Sequence, residues 1–228
     1  MIACLPSPQN KTVGGVWATE NLYPGLKTNN TYGTIDFSDF PMHHGFGIKP
    51  GQHVSGEAMH NYLQAYAQRS NILPRIDFET RVLAISRLDD RAGWNLRVRQ
   101  GADERDLQTR KLIIATGVTN APNRPSIEGA SDFEAPILHS AELGLKSGLL
   151  TKDLSEKKTV AVLGGGKSAY DAVYLAACTG HQVEWIIRKS GKGPVWVPPR
   201  HTNIGPFKVL REVSSTCHHP LHVPHNAD

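Results

Sequence analysis

The stretch that decides the fold reads Thr159-Val160-Ala161-Val162-Leu163-Gly164-Gly165-Gly166-Lys167-Ser168-Ala169-Tyr170-Asp171. An apolar run leads into three glycines and then into a helix-forming sequence, which predicts a buried strand, a tight turn and a helix. The glycines and Ala169 fit the pattern G-x-G-x-x-G/A, in which backbone N–H groups and a helix N-terminus face a pyrophosphate. We therefore predict a dinucleotide-binding turn whose ligand contacts include Gly164, Gly166 and Ser168.

A P-loop is the alternative interpretation of the same residues. Gly166-Lys167-Ser168, with Ala161 five positions upstream, satisfies a relaxed form of that pattern. In a P-loop the strand ends before the first small residue, so here it would fall on the charged segment 153–160. The apolar run Thr159 to Leu163 would then become loop, which makes the NTP site the less favoured interpretation.

The next predicted strand, Gln182 to Ile187, ends in the pair Arg188-Lys189. Arg188 follows Gly164 by 188 − 164 = 24 residues, close to the point where an NAD site presents an acidic residue to the ribose. Two cations at this point suit a 2′-phosphate, so NADPH is favoured over NADH. The alternative is a pair of solvated basic residues at a strand end.

Composition narrows the class of protein. The 25 Lys and Arg of the 228 residues give a net charge of +4 but form no basic block, which argues against nucleic acid as a partner. Three cysteines lie far apart, so we expect no disulfide framework and a reducing compartment. No apolar run reaches the roughly 18 residues of a spanning helix. These features predict a cytoplasmic protein without a membrane span.

Three motifs follow one another early in the chain: Gly14-Gly15-Val16-Trp17, then Tyr23-Pro24-Gly25-Leu26-Lys27-Thr28-Asn29, then Ser38-Asp39-Phe40-Pro41-Met42. Taken alone, the first of them is also compatible with a surface loop carrying one aromatic anchor. Their order and spacing resemble the flavin-containing monooxygenases and the related Baeyer–Villiger (class B) FAD-dependent monooxygenases, especially the fungal members.

The resemblance implies two cofactors, FAD and NADPH. In that family the first two motifs line the flavin, and the asparagine near its ring falls on Asn29, the catalytic residue that the resemblance implies. The reaction would place one oxygen of O2 on a small organic substrate: an N or S nucleophile, a ketone, or an intermediate of a secondary-metabolism tailoring step. The flavin contacts carried over by position are Gly14, Gly15, Val16, Trp17, Thr28 and Asn29.

The remaining periodicity predicts the other elements. Ser55 caps a helix whose apolar stripe, from Met59 to Tyr66, faces the core. The segment 75–98 predicts a small antiparallel β-meander, with Trp94, Leu96 and Val98 on one face. Leu112-Ile113-Ile114-Ala115-Thr116-Gly117 predicts a strand buried on both faces. With the resemblance, this predicts an α/β fold of the two-dinucleotide-binding (Rossmann-like) flavoprotein type with a small meander.

A second part of the family signature lies in the connection between the two nucleotide sites. Phe133 and His139 match the family pattern Phe-x-Gly-x-x-x-His, whereas Ala135 replaces its glycine and Glu142-Leu143 stand where an aromatic residue is expected. We interpret His139 as a domain-linking residue rather than a catalyst.

The predicted domains are an irregular lead (1–12), a partial FAD-binding domain (13–122), a connection (123–158), a partial NADPH-binding domain (159–212) and a disordered tail (213–228). A flavin-binding βαβ unit should precede Gly14, yet the lead is too short for one. The sequence therefore also predicts an incomplete fold, and the alternative function is a catalytically incomplete fragment that at most binds NADP(H). The histidines of the tail do not predict a metal site.

Overall fold

A computed structural model describes residues 2–3, 10–42, 44–49, 51–89, 92–117, 121–152, 155, 157–189, 201–204 and 206–210. The strands are β1 (Ile2–Ala3), β2 (Lys27–Thr31), β3 (His53–Ser55), β4 (Ile76–Asp77), β5 (Thr80–Arg87), β6 (Trp94–Gln100), β7 (Asp103–Thr109), β8 (Thr159–Leu163), β9 (Gln182–Ile186), β10 (His201–Ile204) and β11 (Phe207–Leu210). The α-helices are α1 (Gly56–Arg69), α2 (Leu143–Lys146), α3 (Gly148–Thr151) and α4 (Lys167–Cys178). Short 3-10 helices cover Gly15–Trp17, Thr19–Asn21, His44–Phe46, Leu73–Arg75 and Ser140–Glu142.

Helix α1 packs into the hydrophobic core formed by buried residues between 42 and 62. Ser55 caps it as predicted, because its hydroxyl accepts a hydrogen bond from the backbone N–H of Ala58 at 3.2 Å. Met59 and Tyr62 are buried in a cluster with Met42 and neighbouring apolar residues, which confirms the predicted inward face. The pair β2–β3, which is antiparallel, leads directly into this helix.

The predicted meander is confirmed as the antiparallel sheet β5–β6–β7. Leu96 and Val98 of the central strand are buried on one face, while Arg97 points outward and binds both carboxylate oxygens of Asp106 at 3.2 Å. This alternation is the period of two that the sequence predicts for a half-buried strand.

The predicted strand, turn and helix are confirmed around the three glycines. Strands β8 and β9 pair in parallel, with Leu163 opposite Ile186, and α4 contacts both. Because β8 occupies Thr159–Leu163, the turn begins at Gly164, and the strand position that a P-loop requires is wrong for this chain.

Two expectations about local structure are wrong. The segment Leu112 to Gly117 forms no strand, and the side chains of Ile113 and Ile114 are 88% and 69% exposed. A strand buried on both faces needs neighbouring strands and covering helices, whereas none of the described strands pairs with this segment. The irregular lead, in contrast, contains β1, which pairs in parallel with β4.

Two other expectations fall on residues that the structure does not describe. These are the disordered tail at 213–228 and the histidines within it. Within the described ranges, none of the helices combines the length and the apolar character that crossing a bilayer requires.

Candidate dinucleotide sites

The Gly-Gly-Val-Trp motif forms a tight 3-10 turn that requires glycine at its start. Gly14 has a φ of +113°, and a Cβ at this position would lie 3.0 Å from the backbone carbon of Trp17. The Trp17 N–H donates to the Gly14 carbonyl at 2.9 Å and closes the turn. The conformation therefore follows from the glycine pair that the sequence presents.

Hydrogen bonds from two asparagine side chains stabilise this turn. The side-chain amide of Asn21 donates to the Gly15 carbonyl at 2.8 Å, and that of Asn10 donates to the same oxygen at 3.3 Å. Asn10 is buried, although it belongs to the lead that we predicted as irregular. The network leaves Val16 at the tip of the turn with 63% of its surface exposed, accessible to a ligand.

His60 on α1 fixes the other end of the turn. Its Nδ1 lies 3.1 Å from the Trp17 carbonyl and its Nε2 lies 3.0 Å from the Thr19 hydroxyl. A carbonyl only accepts, so Nδ1 carries the proton in this arrangement. Trp17 itself packs against the α1 core. Sequence reasoning missed His60, because its partners lie more than 40 positions away.

Thr28 and Asn29 occupy successive positions of β2 and point in opposite directions. Thr28 is 7% exposed, and its hydroxyl accepts from the Val54 N–H at 3.0 Å and donates to the Asn30 carbonyl at 2.6 Å. Asn29 is exposed. The hydroxyl of Thr28 thus already supports the β2–β3 pair, whereas the amide of Asn29 is accessible to a ligand.

An open cleft of about 430 Å³ lies beside this strand. Its lining includes Lys27, Phe46, Gln52 and His53. None of the predicted cofactor contacts lines it, although Lys27 belongs to the second motif.

The Gly-rich turn between β8 and α4 is held by a tryptophan on the adjacent strand. Gly164 has a φ of +134°, and its N–H donates to the Ile186 carbonyl at 3.0 Å. The indole N–H of Trp185 donates to the Gly164 carbonyl at 2.7 Å. The Tyr170 ring on α4 meets the Trp185 ring edge-on, with the ring centroids 4.7 Å apart.

The N-terminus of α4 offers an open backbone surface. Gly166 is its N-cap residue, and a Cβ added there would meet nothing within 4 Å. Ser168 lies in the first turn and is exposed. The first N–H groups of a helix lack intrahelical partners and carry the positive end of the helix dipole, so this surface suits a phosphate.

Arg188 and Lys189 lie at the same sheet edge as this turn. The parallel register brings the carboxyl ends of β8 and β9 together, and both cations follow the end of β9 after one intervening residue, Ile187, and are exposed. The structure therefore brings the predicted NADPH contacts to one edge, which is where ligands bind in open α/β sheets.

A partly buried contact joins the segment before Asn29 to helix α4 near this edge. The Tyr23 hydroxyl donates to Asp171 Oδ2 at 2.7 Å, and the Lys167 ammonium forms an ion pair with the same oxygen. Burial and the neighbouring Asp171 carboxylate raise the pKa of Tyr23 well above its usual range. The i, i+4 spacing of Lys167 and Asp171 is visible in the sequence, whereas Tyr23 lies 148 positions away.

The connection is fixed by a capping box. His139 Nδ1 accepts from the Ala141 N–H at 3.1 Å, and the Glu142 carboxylate accepts from the His139 N–H at 2.9 Å. Glu142 also binds Lys146 at 2.7 Å and Arg124. Lys146, the His139 N–H and Arg124 together lower the pKa of Glu142 to about 2. The glutamate that replaces the family aromatic therefore caps the 3-10 helix at 140–142.

A protein-family model matches most of this chain, including the strand, turn and helix around the three glycines. The chain belongs to the family described as pyridine nucleotide-disulphide oxidoreductase, whose model matches residues 28–204. The fold is that of the two-dinucleotide flavoproteins, as predicted.

Among individual proteins, the chain is 42% identical over 197 residues to an FAD-dependent monooxygenase of Pyrenophora dematioidea, covering 83% of this chain and 35% of that protein. Among solved structures, Tmm from Pelagibacter sp. strain HTCC7211 has a TM-score of 0.64 at 19% identity, covering 90% of this chain and 50% of that one. Cyclohexanone monooxygenase from Rhodococcus sp. Phi1 bound to NADP+ has a TM-score of 0.60 at 21% identity, covering 79% and 32%. The chain thus spans about a third of the length of the fungal relative.

Proposed function

We propose that this chain functions in an FAD- and NADPH-dependent monooxygenase. The observation that carries the proposal is that the open backbone of Gly166 and the exposed Arg188 and Lys189 lie at the same edge of the β8–β9 sheet. A similar fungal protein is named an FAD-dependent monooxygenase, and a protein of similar fold was solved bound to NADP+. Both cofactors are thus consistent with the relatives and with the residues present.

The nicotinamide nucleotide would be held by the unit β8–α4–β9, within the proposed NADPH-binding domain at 159–212. Gly164 and Gly166 shape the turn, and Ser168 adds a hydroxyl in the first turn of α4. The guanidinium of Arg188 and the ammonium of Lys189 suit the 2′-phosphate that distinguishes NADPH from NADH.

FAD would lie against the motifs of the proposed FAD-binding domain at 13–122. Val16 and Asn29 are exposed there. Hydrogen bonds of the backbone at Gly14, Gly15 and Trp17 and of the Thr28 hydroxyl hold the two motifs in their conformations. When bound, NADPH supplies a hydride and the flavin supplies the reaction with O2. The amide of Asn29 offers one hydrogen-bond acceptor and two donors at the protein surface, so we assign it the role next to the flavin.

The proposed substrate is a small organic molecule that receives one oxygen atom of O2. An N or S nucleophile, a ketone or a secondary-metabolism intermediate fits the class, and the proposed compartment is the cytoplasm. The proposed connection between the domains, 123–158, contains the capping box of His139.

A second candidate is binding of NADP(H) without flavin chemistry. It is favoured by the contrast between the two sites, because the Gly166 turn is open whereas the Thr28 hydroxyl is already engaged. Purified protein, before and after incubation with FAD, separates the candidates. A visible flavin band that NADPH bleaches supports the monooxygenase. Colourless protein that binds NADPH supports the second candidate.

The nucleotide assignment is tested by Arg188→Ala. NADPH affinity should fall more than NADH affinity, because the lost guanidinium serves the 2′-phosphate alone. Arg110→Ala removes an exposed arginine far along the sequence from this edge and serves as the matched control. Equal losses for both nucleotides in Arg188→Ala would contradict the assignment.

A further inference from the structure

Asp171 is the centre of a small polar cluster that neither cofactor assignment uses. Its Oδ2 accepts the hydrogen bond from Tyr23 and pairs with the Lys167 ammonium. Only 15% of the Asp171 side chain and 30% of the Lys167 side chain are exposed. A charge pair this well shielded is less weakened by solvent and salt than a surface pair.

The position of Lys167 makes the pair unusual for a helix. Lys167 is the first residue of α4, directly after the open Gly166, where the helix dipole disfavours a cation. A lysine that precedes its acidic partner by four residues is also the less favourable order. The ammonium is drawn to Asp171, whose position lies one turn, about 6 Å, farther along the helix.

Tyr23 links the cluster to the segment that precedes Asn29. The loop that holds Tyr23 also lies near Tyr174 of α4, since a Cβ at Gly25 would be 4.0 Å from the Tyr174 ring. Asp171 therefore has one partner at the Gly-rich turn and another in the half that carries the flavin motifs.

We propose that Asp171 is a positioning residue that holds Lys167 away from the phosphates of the nicotinamide nucleotide in the ligand-free protein. NADP(H) then competes with Asp171 for the lysine. When Lys167 turns to a phosphate, the hydroxyl of Tyr23 remains with the carboxylate, which avoids a buried unpaired charge. The inference rests on the proposed function, because it requires the nucleotide to bind at this turn.

Titration calorimetry with NADP+ tests the proposal on the full chain. Asp171→Asn frees Lys167, and we expect binding to tighten about fivefold, the size of a modest coupling between sites. Tyr23→Phe should act in the opposite direction, because Asp171 then depends on the lysine and releases it less readily. Both effects should vanish in a Lys167→Met background, since each acts through that ammonium.

Asp106→Asn is the matched control. Asp106 also pairs with a basic side chain, Arg97, but it lies on the meander, so this variant reports the effect of net charge alone. Unchanged or weaker binding by Asp171→Asn, or a gain that persists without Lys167, overturns the proposal. If Asp171→Asn does not fold, tighter or unchanged binding by Tyr23→Phe overturns it. Absence of NADP+ binding in the wild type and in every variant overturns the proposed function, and the inference with it.

Discussion

Trp185 donates its indole N–H to the carbonyl oxygen of Gly164 over 2.7 Å, so a side chain of β9 fixes the first glycine of the phosphate turn. Gly164 has a positive φ and offers little conformational restraint of its own. The edge of Tyr170 against the Trp185 ring holds the indole in place. The turn is therefore held in shape by a tryptophan before any ligand arrives.

Trp185→Phe should weaken nucleotide binding. The variant keeps an aromatic ring against Tyr170 but removes the hydrogen bond to Gly164, worth about 1 kcal/mol. We expect NADP+ affinity to fall about fivefold, because the turn must then be ordered during binding. Titration calorimetry measures the change. Trp94→Phe on the meander is the matched control, and an equal loss in both variants would contradict a role in the turn.

Gly166→Ala should separate binding from folding. Its φ of −91° is open to any residue, and the added Cβ meets nothing within 4 Å, so the free energy of unfolding should change by less than about 1 kcal/mol. The methyl group would occupy the surface proposed for the phosphate, so NADP+ affinity should fall at least about tenfold. Urea unfolding and NADP+ titration on the same preparation check both parts. Unchanged affinity would contradict the placement of the phosphate.

Gly144→Ala should show the reverse pattern. Gly144 on α2 approaches the backbone of Asn21 so closely that an added Cβ would overlap the carbonyl oxygen of Asn21. Since backbone must move to admit the methyl group, we expect a loss of about 1 to 3 kcal/mol in the free energy of unfolding. Gly148→Ala on α3 is the control, because there the Cβ would meet only the flexible Lys152 side chain, at 3.3 Å. Equal stability of both variants would argue against a close contact at Asn21.

Local features of this fold are predictable from the sequence, since they depend on residues close to one another. The glycine spacing that begins at Gly164 predicts the strand, turn and helix, and Ser55 predicts the start of α1. The alternation through Leu96 and Val98 predicts the central strand of the meander.

Features that depend on distant neighbours are not predictable in this way. Ile113 lies in an all-apolar run that predicts a buried strand, yet burial is a property of the surroundings, and the described residues leave it exposed. The bond between Tyr23 and Asp171 joins residues 148 positions apart, and no local period indicates it. The flavin and NADPH contacts stay predictions.

At acidic pH the protein should lose the stability that the Glu142 carboxylate contributes to the segment 123–158. The folded pKa of Glu142, about 2, lies below the unfolded value of about 4.3, so its contribution is present above the unfolded pKa and disappears as the pH falls toward 2. Glu142→Gln should therefore flatten the fall of the free energy of unfolding between about pH 5 and pH 2. Urea unfolding at successive pH values measures this slope.

Lys146→Ala is the companion variant, since Lys146 makes the largest contribution to lowering the pKa of Glu142. Removal of the Lys146 ammonium should raise the pKa of Glu142, so the free energy of unfolding should fall less between neutral and acidic pH. Lys111→Ala, which removes an exposed lysine outside the capping box, is the control. If the free energy of unfolding falls with pH equally steeply in Glu142→Gln and the wild type, other carboxylates cause the acid dependence.

At alkaline pH the protein should lose the stability that the hydrogen bond from Tyr23 to Asp171 contributes. Burial and the Asp171 carboxylate raise the pKa of Tyr23, so its contribution is full below the unfolded value of about 10 and is lost as the pH rises through the folded pKa. Tyr23→Phe should flatten part of the fall in the free energy of unfolding above about pH 10. Tyr62 contributes to the rest of this fall, because burial raises the pKa of Tyr62 as well. Asp171→Asn removes the neighbouring charge and should move the loss to lower pH. Urea unfolding across the alkaline range measures both variants, and an unchanged slope in Tyr23→Phe would exclude Tyr23 as the titrating group.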